Sequence, residues 1–366
     1  MPVANPAPSV LIAAGPLQDA VATILRGTGL PDADAVWVAH CLVLADLRGV
    51  ATHGVARLPI YAEKLLNGAA NARPDMALRH PLPTALHLAT DNALGFVAAR
   101  HALDTAIPLA RALGIAIAGV SDSAHFGMAA IYLLRAIEAG LGALIFTNAS
   151  PSMPVWGGRT PFLGTSPFAF AVPGDADGPP IILDMTTSVA ARGKIRQAIA
   201  WGESIPEGWA LDADGQSTTD AQRAFDGILL PMGGPKGSGL SLMMEIIAGV
   251  LTGAAFGGEV RDQYKARDLP QNIGHSFILF RPDLFMPAAS FHARMGELVA
   301  RARASVPLDP ARPILMPGEP EVAMHQNRAC SGIPLPAAVL AQIVDEATRS
   351  GTKLDPADLY IKAEAM

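Results

Sequence analysis

Between Gly95 and Ser150 the chain alternates helix, strand, helix, strand, and few architectures can hold such a run. GFVAARHALDTAIPLARALG carries apolar residues at helical spacing and stops at Gly114. IAIAGVSD is a short apolar run of β-branched character, the mark of a buried strand. HFGMAAIYLLRAIEAG predicts a helix that begins near His125 and stops at Gly140, and LGALIFTNAS predicts a second buried strand. The order points to the α/β class, with helices packed on a sheet. It also puts His125 at a strand-to-helix corner, among Ser121, Asp122 and Ser123, and functional groups often sit at such corners.

The flanks fill in around this unit. Residues 1–15 form an arm or first strand, and 16–72 are helical, with Pro31 and two acids marking one helix start. Prolines and short alternating runs over 74–95 predict strands and turns. PFAFAV, PIILDM and HSFILFRPDLF predict strands, and residues 186–200 and 288–305 helices. Residues 202–235 carry no periodicity and are expected to be loop. An apolar helix follows from about Gly237 to Gly253, and the tail from residue 334 predicts one amphipathic helix and an end strand.

Half of the 366 residues are apolar and 16% are charged, enough to bury a large core. The net charge of −6 offers no basic surplus for phosphates, which excludes a general nucleic-acid binder. SLMMEIIAGVLTGAAFG contains Glu245 and is shorter than the ~20 residues of a membrane span, and no secretory signal precedes it. These features describe a soluble cytoplasmic chain, and the low charge with high Ala and Gly content favours an oligomer. Cys41 and Cys330 form no CxxC pair, and no HExxH or acidic cluster points to a metal.

The chemistry concentrates in Asp46–Tyr61, DLRGVATHGVARLPIY. His53 can give or take one proton near neutral pH. Thr52 beside it offers a hydroxyl, although on a strand the two would face opposite ways. Arg48 and Arg57 flank it, and a guanidinium binds a carboxylate in a fork. The same pattern also fits a helix end with solvated arginines and a loop histidine. His125 is the rival acid–base group. His40, His80, His87, His101, His275, His292 and His325 stand alone and are taken as structural or surface groups. There is no GxGxxG after a strand and no GxSxG. GGPKGSG, which contains Lys236 and Gly237, fits either an anion-binding helix start or a tight turn.

Several blocks in order resemble the second-type malate/L-lactate dehydrogenase family, which includes ureidoglycolate, sulfolactate and diketogulonate oxidoreductases and piperideine/pyrroline-2-carboxylate reductases. The blocks are ADLRGVATHGVARLPIY, HFGMAAIY, TNASP with LGTSPFAFAVP, ILDMTTSVAARGKI, and LLPMGGPKGSGLSLMMEIIAGVLTGAAFG. The resemblance implies a non-Rossmann nicotinamide-binding domain with a largely antiparallel α+β sheet over residues 116–333. It also implies a helical domain from residues 1–115 and 334–366, and a homodimer.

By the same resemblance His53 is the proton donor/acceptor with Thr52 beside it, and His125 its alternative. Arg57, Thr165 and Arg48 would hold the substrate. The cofactor, NAD or NADP, would lie on His125, Phe126, Gly127, Met128 and Ala129, on Asp184, Met185 and Thr186, and on Lys236 and Gly237. Two departures stand out. Thr52 replaces a frequent serine, and Lys194 occupies the place where the imine reductases carry an aspartate. The expected activity is therefore hydride transfer between a small 2-hydroxy acid and its 2-oxo acid. A cyclic-imine reductase and a non-catalytic nucleotide-binding protein are the alternatives.

Overall fold

The computed structural model describes residues 9–176 and 178–361. The chain opens with strand β1 (Ser9–Ile12) and helices α1 (Ala14–Gly27) and α2 (Asp32–Leu47). Asp32 and Asp34 lie in the first turn of α2, where negative charge complements the helix dipole. Two single 3₁₀ turns, Ala51–His53 and Val55–Arg57, lead into α3 (Leu58–Leu66). Then follow β2 (Ala77–Leu82), β3 (Ala85–Ala89), α4 (Gly95–Leu113), β4 (Ile115–Ser123), α5 (Ala130–Glu138) and β5 (Gly142–Thr147). The helix–strand–helix–strand reading of 95–150 stands.

Next come β6 (Phe168–Val172), β7 (Ile181–Met185) and α6 (Arg192–Trp201). Residues 202–235, expected to be loop, carry β8 (Ala210–Leu211), α7 (Ala221–Asp226) and β9 (Ile228–Leu229), a small unit around Ile195, Ile205 and Leu229. The apolar helix begins as α8 (Pro235–Met244) but continues as one π-helical stretch, Glu245–Val250. The chain closes with β10 (Ile273–Phe280), α9 (Ala288–Arg303), α10 (Glu319–Ser331), β11 (Ile333–Pro336) and α11 (Ala337–Arg349). Helix α10 was not foreseen: it buries no residue fully and so shows no apolar stripe.

The main sheet has seven strands in the order β2-β3-β4-β10-β5-β6-β7. Every described pairing in it is antiparallel except β3–β4, where α4 supplies the crossover that a parallel pair requires. β2 and β3 precede residue 116 and belong to this same sheet. β1 pairs with β11, which ties the N-terminal helices to the C-terminal ones.

One register sets up the site. β10 runs between β4 and β5, with Ile273 opposite Ser123 and His275 opposite Thr147, and its pairing with β4 bulges between Ile273 and His275. His275 is fully buried there. It bonds Ser123 Oγ at 3.0 Å and Thr147 Oγ1 at 2.8 Å, and its ring stacks on Phe126 at 4.5 Å. Of the two readings the sequence left open, structural or surface, it is the structural one, and it is the floor under the segment that follows β4.

Candidate active site

The loop between α2 and α3 is held by one contact. Asp46, 3% exposed, accepts the Val55 N–H at 2.7 Å. Any β-carbon on Gly54 would lie 2.1 Å from Asp46 Oδ1, so only glycine fits. Burial raises the Asp46 carboxyl to about 7, against the pull of the Val55 N–H and Arg328. The pinned backbone winds into the two 3₁₀ turns rather than a strand. Thr52 and His53 therefore do meet, with Thr52 Oγ1 3.0 Å from His53 Nδ1. Arg57 Nε donates to the Thr52 carbonyl, while its Nη1 is buried without a partner. Arg48 is 5% exposed, with Nε and Nη2 also unpartnered. The alternative of solvated arginines fails.

The helix expected to start near His125 starts at Ala130, and residues 124–129 are irregular. Gly127 has φ +79°, and a β-carbon on it would lie 2.3 Å from the Phe96 ring, so the turn requires glycine. The turn lets the Gly127 N–H point back at His125 Nδ1, 3.2 Å away. A backbone N–H can only donate, so Nδ1 accepts and the proton of the neutral ring sits on Nε2. The Tyr61 hydroxyl from α3 reaches the same Nδ1 at 2.8 Å. Gln271 Oε1 holds the His125 N–H at 3.1 Å.

The rings of His53 and His125 then stack, 5.5 Å apart and 17° from parallel. Burial, then Arg57 and Arg196, push His53 down to about 3. Burial, Arg57, His53, His275 and Arg196 hold His125 well below the usual imidazole range. Both rings are thus neutral at neutral pH. They are also chemically unequal. His125 presents a fixed N–H donor. His53 faces a hydroxyl that can donate or accept, so its Nε2 is free to exchange a proton.

These groups end a cavity of about 970 Å³, the upper range for a ligand site. It is lined by Arg48, Thr52, His53, Arg57, the whole of 125–129, Thr165 and Asp184–Thr186. Asp184 Oδ2 accepts the Ala130 N–H at 2.8 Å, which straps the start of α5 to β7. Asp184 keeps an exposed face in the cavity lining, yet burial of its carboxyl raises it to about 6, against the N–H groups of Ala130 and Ala129. Thr186 Oγ1 donates to the Thr165 carbonyl at 2.8 Å. The expected substrate and cofactor residues are thus brought together, with one exception. Lys236 and Gly237 do not line the cavity. Gly237 packs under the Met232 backbone, and Lys236 is exposed.

The cavity has features a dinucleotide needs: unpartnered buried donors on Arg48, an irregular glycine-bearing wall, and room beyond the histidines. Several residues of the site, within its lining or behind it, carried no sequence signal. Tyr61 stands four residues after Arg57, on the same helical face, and that spacing is the one available hint. Tyr61 is buried behind His125, whereas Asn148, Arg196, Tyr264 and Glu321 line the cavity itself. An arginine on a polar helix ordinarily reads as solvated, so Arg196 was not distinguishable.

The family model described as malate/L-lactate dehydrogenase matches residues 12–344. A malate dehydrogenase of Pyrococcus abyssi is 36% identical over 341 residues, covering 91% of this chain and 93% of that protein. An NAD(+) ureidoglycolate dehydrogenase of Escherichia coli O157:H7 is 33% identical over 319 residues, covering 87% and 90%. The solved sulfolactate dehydrogenase of Methanocaldococcus jannaschii superposes with a TM-score of 0.88 at 31% identity, covering 96% of this chain and 99% of that one.

Proposed function

The chain belongs to the malate/L-lactate dehydrogenase family, and from that premise we propose that it interconverts a small 2-hydroxy acid and its 2-oxo acid with NAD or NADP. The observation that carries this reading is the stacked pair His53–His125 beside the unpartnered Arg57 Nη1, at the end of the cavity. That end offers a proton-exchanging group in His53, a fixed donor in His125 and a carboxylate-binding cation in Arg57.

Arg57 holds the substrate carboxylate, and its Nε bond to the Thr52 carbonyl sets the guanidinium relative to His53. This fixes C2 in place, and such positioning supplies much of the rate in enzymes of this kind. In oxidation, neutral His53 donates Nδ1–H to Thr52 Oγ1 and accepts the hydroxyl proton at Nε2. In reduction the imidazolium returns that proton to the oxygen at C2. Thr52 accepts from Nδ1 in both states, so its bond need not break. His125 donates Nε2–H to the same oxygen and steadies the charge that develops there. It serves poorly as the proton acceptor, because the Gly127 N–H occupies Nδ1 and the proton already sits on Nε2. The bound nicotinamide supplies or receives the hydride. Residues 125–129, Asp184–Thr186 and Arg48 would hold it, and Thr165 would touch the substrate. Lys236 and Gly237 stand outside that cradle in a single chain.

In this reading the N-terminal and C-terminal helices supply the substrate half, and the sheet supplies the cofactor half. We also take the active form to be a homodimer. Leu242, Met243, Ile246, Val250 and Leu251 are exposed along α8 and its π-helical continuation. Trp156 packs against Gly234 and Phe162 against Gly257, which extends the apolar face at both ends. A contiguous patch of that kind marks an interface. Among the described residues no helix is long and apolar enough to cross a membrane, and the cytoplasm, with its nicotinamide pool, is the compartment this reading implies. The test is a screen of 2-oxo acids, with piperideine-2-carboxylate included, against both reduced cofactors. Turnover of a 2-oxo acid supports the reading. Turnover of the cyclic imine alone, or of none, contradicts it.

A further inference from the structure

Three carboxylates line the cavity, Asp184, Asp262 and Glu321. Asp262 pairs with Arg192 at 3.7 Å. Asp184 and Glu321 act on Arg48. None of them offsets the field at the histidine end, where Arg57 and Arg196 are the charges that reach His53. Arg196 forms no hydrogen bond or ion pair among the described residues, and its Nε is buried without a partner. Its guanidinium lies 3.9 Å from the centre of the Tyr264 ring, a stack that fixes its plane. Lys194, two residues earlier on α6, also lines the cavity and has no ion-pair partner among the described residues. The start of α6 is pressed against the catalytic loop: a β-carbon on Gly193 would lie 2.8 Å from Thr52 Cγ2. The histidine end thus holds more fixed positive charge than one carboxylate can offset.

Resting on the dehydrogenase reading above, we propose that Arg196, with Lys194, forms a second anion site for the substrate's tail, so that the substrate is a dianionic 2-oxo acid with a carboxylate or sulfonate at its far end. Arg57 takes the carboxylate at C1 and Arg196 the distal group, with C2 held between them beside His53. Two cations beside two neutral imidazoles suit a dianion and leave a monoanion with an unmatched buried charge, which is how such sites discriminate. The dianion also offsets the part that Arg57 and Arg196 add to burial in holding His53 neutral.

The test is the ratio of kcat/KM for oxaloacetate to that for pyruvate, in the wild-type enzyme and in Arg196→Gln. The cofactor Kd of both proteins is measured alongside. The wild type favours oxaloacetate, and the ratio falls at least about 30-fold in the variant. A ratio that survives Arg196→Gln overturns the proposal. So does loss of cofactor affinity with the ratio intact, which would make Arg196 a cofactor-phosphate ligand. The two readings are separated by titrating the cofactor-loaded enzyme with tartronate and with glycolate. If neither oxaloacetate nor pyruvate nor any other 2-oxo acid of the screen is reduced, the dehydrogenase reading falls. The second anion site then stands if tartronate binding needs Arg196, and falls if it does not.

Discussion

The Tyr61 hydroxyl lies 2.8 Å from His125 Nδ1, so a residue eight positions after His53 sets the state of the ring stacked on it. With the Gly127 N–H on the same nitrogen, the contact makes His125 a donor through Nε2. Tyr61→Phe removes one of the two. We expect kcat to fall about fivefold, the worth of one ordinary hydrogen bond, and the nitrogen NMR signals of His125 to show a mixture of tautomers. Unchanged signals and an unchanged rate would remove Tyr61 from the account.

Gly54→Ala tests the loop anchor. The new β-carbon must displace Asp46, whose carboxylate holds the Val55 N–H. Overpacking of this kind costs about 1–3 kcal/mol, to be read from a urea midpoint. The variant should also lose activity beyond its loss of folded protein, because Thr52, His53 and Arg57 all hang from this loop. A stable, active Gly54→Ala enzyme would mean that the Asp46 contact does not position the histidine.

Much of this arrangement was legible in the sequence, and the parts that were not have physical causes. The alternation over residues 95–150 gave its four elements because each buries one face completely. The substrate cluster was legible because chemically distinctive residues crowd into one stretch. The Thr52–His53 contact was not, since it depends on 3₁₀ turns imposed by Asp46. Residues 202–235 lacked a periodic signal because their elements are only two to six residues long. The sequence also could not show that Arg196 would lose its solvent to Tyr264, 68 positions further on, nor that Lys236 would turn outward.

The pH dependence follows from the neutral state of His53. Burial, Arg57 and Arg196 put it at about 3 in the free enzyme, and kcat/KM reports the free enzyme. Reduction needs the protonated ring, whose population falls tenfold per unit as pH rises above about 3. Log kcat/KM for reduction should therefore decline with a slope of about −1 between about pH 5 and pH 8. Oxidation needs the neutral ring, already fully populated, so its kcat/KM should carry no histidine inflection there. A break near the ordinary imidazole value in either direction would contradict the burial of His53 beside two cations.

The exposed apolar face of α8 makes a separate prediction. Leu251, 69% exposed, should be buried against a second copy. Leu251→Glu should convert the protein to monomer in sedimentation experiments, because an unpaired carboxylate in an interface is strongly disfavoured. A variant with unchanged sedimentation would place any dimer contact elsewhere.

The central claim is that His53, not His125, exchanges the proton with the substrate oxygen. It is tested most directly by comparing His53→Gln and His125→Gln in steady-state turnover with cofactor binding measured alongside. The account predicts that His53→Gln lowers kcat by about 10²–10⁴-fold with cofactor affinity nearly intact, and that His125→Gln loses less because the amide still donates. Near-normal turnover in His53→Gln, with the larger loss in His125→Gln, would contradict it and pass the proton to His125.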